Sequence, residues 1–97
     1  MADNWLKTNL DPLIENSALQ NDGLLLIAFD ESANDDADAG GRIAVFLISP
    51  RFSMVAFQST TLFQHETVLR LMLEGLCVTT LPCAAVTAPR TWDFFTF

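Results

Sequence analysis

Two continuous apolar runs dominate the pattern of this chain. Leu24-Leu25-Leu26-Ile27-Ala28-Phe29 is the first, and the stretch from Ile43 to Ile48 is the second. Neither alternates, and each is closed by turn-forming residues. Runs this short do not make an ordinary helix, and unbroken apolarity marks strands buried on both faces, as in a sheet covered by helices. The pattern therefore predicts an α/β fold with strands over 24–29 and 43–49. Between them, Asp30 to Gly41 forms a loop of about a dozen residues, a length that is more often functional or mobile than idle in compact domains.

Helical spacing flanks this central stretch. Trp5, Leu6, Leu10, Leu13 and Ile14 recur at helical intervals, and Asp11-Pro12 offers an N-cap carboxylate with proline at the first helical position. The expectation is a short helix, a break over Asn9 to Asp11, and a second helix to about Leu19, before Asn21-Asp22-Gly23 turns the chain. After Pro50, residues 51–58 are expected to be irregular, or a short edge strand over Met54-Val55-Ala56-Phe57. The clearest helix is Thr61 to Leu76, opened by a capping box of Thr61 and Gln64. Leu62, His65, Val68, Leu69, Met72 and Leu76 share the face expected to meet the sheet, while Glu66, Arg70 and Glu74 line the opposite one. Gly75 and Cys77-Val78 mark its end. The remaining tail contains Pro82 and Pro89 and closes on Trp92, Phe94, Phe95 and Phe97, which predicts that it docks on the body.

Composition adds a constraint that the pattern alone does not. A chain of 97 residues makes one domain at most, residues 1–97, and no internal repeat suggests otherwise. Yet 51% of it is hydrophobic and only 18% charged, an odd balance for a small free-standing domain with much surface to cover. The excess fits a piece whose apolar surface meets more protein: another part of the same chain, a second copy in a homo-oligomer, or a complementary chain. The formal charge of −7 excludes non-specific nucleic-acid binding, which needs clustered Lys and Arg, and favours cations as small partners. No segment approaches the roughly 18–20 apolar residues of a membrane span, and no signal peptide is visible at Met1-Ala2-Asp3-Asn4-Trp5. Cys77 and Cys83 make neither a CxxC motif nor a disulfide framework; reduced thiols and a local bridge both stay open.

Four residues are candidates for chemistry. Asp30 and Glu31 are adjacent carboxylates at a strand end, where a chain turning into a loop can aim both at one divalent cation; the bland alternative is a solvated strand terminus. Asp35, Asp36 and Asp38 extend the acidity, but the loop fails the calcium-loop pattern. Asp35 stands where that pattern needs glycine and Gly41 where it needs glutamate, so a solvated charge run is the better account. His65, the single histidine, is either a satisfied core residue or a ligand to a metal or bound anion. Gly40-Gly41-Arg42 lets a ligand approach the backbone, and Arg42 could hold a phosphate through its fork of donors; a plain glycine turn is the alternative. No P-loop, GxGxxG or nucleophile signature is present.

Taken together, these segments resemble a known family. Leu24 to Glu31, then Gly40-Gly41-Arg42-Ile43, then Leu47-Ile48-Ser49-Pro50-Arg51 is similar to the C-terminal part of the bacterial phosphoesterases, which include phospholipases C and acid phosphatases of the alkaline-phosphatase-like superfamily. Gln58 to Glu66 followed by Leu69 to Glu74 looks like that family's last helix. Asp3-Asn4-Trp5-Leu6-Lys7, Thr87-Ala88-Pro89 and Phe94-Phe95 fit its more divergent members. The resemblance implies a partial α/β/α sandwich with a mostly parallel sheet, and hydrolysis of phosphate mono- or diesters with a bound divalent metal. Asp30 and Glu31 match the family's metal-ligating acidic pair, and His65 its late histidine near the metal or phosphate. Arg42 falls where some members carry histidine, so the resemblance gives it no ligand role. Cys77 and Cys83 replace what are usually glycines. The family's other ligands and its nucleophile come from earlier in a longer chain, so the resemblance makes this a C-terminal fragment, inactive alone. The alternative is a non-catalytic module that binds cations or pairs with another protein.

Overall fold

The computed structural model describes residues 1–34, 36, 40–52 and 54–95. The chain divides into two compact units, Met1–Arg51 and Phe52–Phe97.

In the first unit, helix α1 (Ala2–Ile14) runs straight through the expected break. Two side chains bond back onto the helix ahead of Asp11: Thr8 Oγ1 donates to the Asn4 carbonyl at 2.9 Å, and Asn9 Nδ2 to that of Trp5 at 2.8 Å. Pro12 lies in the last turn, where its missing N–H costs one bond of a helix about to stop. The break falls instead at Asn16, whose extended backbone and side-chain oxygen, accepting the Ala18 N–H at 2.9 Å, cap helix α2 (Ser17–Asp22). Gly23 follows of necessity. A Cβ there would overlap Cα and Cδ1 of Leu19, so only glycine lets the chain leave α2 this tightly.

Strands β1 (Leu25–Ala28) and β2 (Val45–Ile48) pair antiparallel, in the register Leu25↔Ile48 to Ala28↔Val45. This overturns the expected mostly parallel sheet of an α/β/α sandwich. Parallel neighbours need a crossover, usually a helix. Here the loop returns directly: the Phe29 N–H donates to the Ala44 carbonyl and the Ser32 N–H to that of Gly40, each at 3.2 Å. The strands are not buried on both faces either, since Phe29 and Phe46 remain 51% and 52% exposed. Continuous apolarity reports an affinity for burial; it carries no information on strand direction. At the open end of the hairpin, Ser49 Oγ donates to the Gly23 carbonyl at 2.8 Å, and Arg51 Nε to Asp22 Oδ1 at 2.9 Å.

In the second unit, helix α3 spans His65–Gly75 and so begins four residues later than the capping box predicted. Ser59 is the competitor. Its hydroxyl accepts the Thr61 N–H at 3.2 Å and donates to Asp93 Oδ2 at 3.0 Å, holding the Thr61 segment outside the helix. Gln64, in extended conformation, is the N-cap, with no side-chain bond. The C-terminus closes as a Schellman motif: the Cys77 N–H donates to the Glu74 carbonyl at 3.0 Å and the Val78 N–H to that of Leu73 at 2.9 Å. Cys77 occupies the left-handed position with φ 59°, which glycine normally fills.

The amphipathic reading of α3 fails at Arg70 and Glu74, which are half-buried, while Glu66 is exposed as expected. Arg70, expected to face water, donates through Nη1 to the carbonyls of Val86 (3.1 Å) and Ala88 (2.6 Å), and through Nε to Glu74 (2.9 Å). It thereby ties the helix to the tail, whose short 3-10 helix (Cys83–Val86) packs against α3 and buries Ala85. Glu74 also pairs with Arg90 at 3.2 Å, and the Arg90 guanidinium lies 5.0 Å from the Trp92 ring centroid. The stripe expected to be buried points outward instead, with Met72 45% and Leu76 75% exposed. The tail itself docks as its aromatic content predicts. Phe94 meets Phe57, Phe63 and Phe52 with centroids 5.0, 6.0 and 6.3 Å away, and Phe95 meets Phe52 at 5.2 Å. An antiparallel bridge joins Phe52 and Phe95, while Met54 to Ala56 form a turn and no edge strand. Phe97 lies outside the described residues.

Candidate functional site

Antiparallel pairing brings three of the four candidate residues into the head of one hairpin. Asp30 and Glu31 follow β1 after Phe29, and Gly40-Gly41-Arg42 precede β2 on the returning arm. The two backbone bonds that extend the ladder, Phe29 to Ala44 and Ser32 to Gly40, bracket these segments and set them across from one another. Gly41 with φ 73° and Gly40 with φ 151° adopt conformations that disfavour a side chain, which lets the loop turn back at this point. The Asp30 carboxylate accepts the N–H of Glu31 at 2.9 Å through Oδ1. Asp30, Glu31 and Arg42 are all exposed. The head thus offers hard carboxylate oxygens on one arm and a guanidinium beside bare glycine backbone on the other.

His65 is the first residue of α3, in the second unit, and is exposed rather than set on a buried apolar face. Asp36 is exposed, and Asp35 and Asp38 lie outside the described residues. Among the described residues, no group of three or more His, Cys, Asp or Glu side chains is placed to hold a metal ion. A divalent cation needs more ligands than the Asp30–Glu31 pair supplies. The described part of this chain therefore does not fit a resident metal on its own.

Sequence reasoning missed other features. Near the start of α3, Gln64, Glu66, Thr67 and Thr87 help line a cavity of about 190 Å³, and the buried Thr67 Oγ1 has no hydrogen-bond partner among the described residues. A second cavity of about 190 Å³, lined by Leu13, Asn16, Leu19, Leu24 and Leu25, lies where α1 and α2 meet the start of β1. Arg70 was assigned to the solvent face because its i,i+4 spacing to Glu74 is a normal surface pattern. Nothing local in the sequence announces that two tail carbonyls converge on it. Cys77 and Cys83 are free, exposed thiols, and both hold positive φ, 59° and 44°. No described helix is long and apolar enough to cross a membrane. Comparison with protein families, characterised proteins and solved structures finds no match to this chain.

Proposed function

We propose that this chain is the C-terminal portion of a metal-dependent phosphoesterase, acting on phosphate mono- or diesters. In this reading it contributes Asp30 and Glu31 to a site completed by groups outside the chain, and it is inactive alone. The observation that carries the reading is the hairpin head, where an exposed carboxylate pair follows an apolar strand across from Gly40-Gly41-Arg42. The two carboxylates supply hard oxygen donors of the kind that divalent cations select. Arg42 presents a planar fork suited to two phosphoryl oxygens. The backbone at positions 77 and 83 gives separate support. Both residues stand where the resembling family has glycine, and both adopt left-handed φ values that favour glycine.

The test joins this chain in frame to the segment encoded upstream and assays p-nitrophenyl phosphate hydrolysis with added divalent cations, beside the Asp30→Ala variant. Hydrolysis by the joined protein is expected, with a loss of at least about 100-fold in the variant, the scale on which an essential active-site group acts. Equal activity in the variant would remove the carboxylate pair from the reading. The chain by itself is expected to show no hydrolysis.

One observation favours a second reading, a non-catalytic module that pairs with another protein. The apolar stripe of α3 is turned outward, with Leu69, Met72 and Leu76 all exposed. A stable homo-oligomer that never hydrolyses the ester, joined or alone, would favour this module over the phosphoesterase.

A further inference from the structure

We draw no further inference here: the strongest candidate, the outward apolar stripe of helix α3 formed by Leu69, Met72 and Leu76, has nothing in the structure to show what covers it.

Discussion

The two units differ in what holds them and in what they carry. The first, Met1–Arg51, has nine of the twelve acidic residues and the hairpin head with its candidate chemistry. Its sheet is a single antiparallel pair, a structure that is marginal in water without a third strand or a covering helix. The second, Phe52–Phe97, has little charge and holds the Phe94 cluster, the Arg70 clamp and the buried Thr67, Ala85 and Thr91. Chemistry and packing are thus placed in different parts of the chain. Changes in the second unit are expected to cost stability, and exposed changes in the first to cost little.

The largest effect is expected at Phe94, which three aromatic neighbours surround. Phe94→Ala removes the ring on which the tail docks and should lower stability by about 3 kcal/mol, the lower end for such truncations because the ring is only half-buried. Urea unfolding followed through Trp92 fluorescence in a Trp5→Phe background measures it, and a loss below about 1 kcal/mol would show that the cluster does not organise this unit.

Next come two ion pairs in contrasting surroundings. The Arg70 side chain is 12% exposed and bonds two carbonyls, whereas Arg51 and Asp22 are 59% and 68% exposed. Arg70→Ala is expected to cost about 2 kcal/mol, because it leaves the Val86 and Ala88 carbonyls without their donor and Glu74 with Arg90 alone. Asp22→Asn should cost about 0.5 kcal/mol or less, since exposed pairs are screened and mobile. Equal costs for the two, read from urea midpoints, would erase the contrast between the units.

A smaller effect, of opposite sign, is expected at Cys77. A side chain in the left-handed region costs roughly 1–2 kcal/mol, part of which glycine returns through its freer unfolded state. Cys77→Gly should therefore stabilise by about 0.5–1 kcal/mol, seen as a raised urea midpoint with unchanged slope. A lowered midpoint would mean that the thiol makes contacts outweighing the backbone preference.

How much of this was legible in the sequence depends on whether the deciding interaction was local. Both strands were legible, because Leu24 to Phe29 and Ile43 to Ile48 are uncharged and bounded by turn residues. Their direction was not, because pairing is settled by how the loop returns, through bonds such as that from Ser32 to Gly40. The end of α3 was legible from Gly75 onward; its start was not, because Ser59 captures the Thr61 N–H and reaches Asp93, which lies 34 positions away in sequence. Helical periodicity placed Glu66 on an exposed face of α3, as observed, but misplaced Arg70 and Glu74, since it cannot foresee tail carbonyls that recruit Arg70. At the candidate site, Asp30, Glu31 and Arg42 were marked individually by residue type. Their shared place in one hairpin head follows only from the antiparallel register.

Under the proposed reading, the carboxylate pair is one part of a phosphoesterase site whose other groups lie outside this chain. Sequencing the DNA upstream of the Met1 codon tests it most directly. The expected result is an open frame continuing upstream, encoding further carboxylate and histidine residues of the kind that ligate metal. An in-frame stop codon followed by a proper translation start immediately before Met1 would contradict it, and the non-catalytic module would then be the better description.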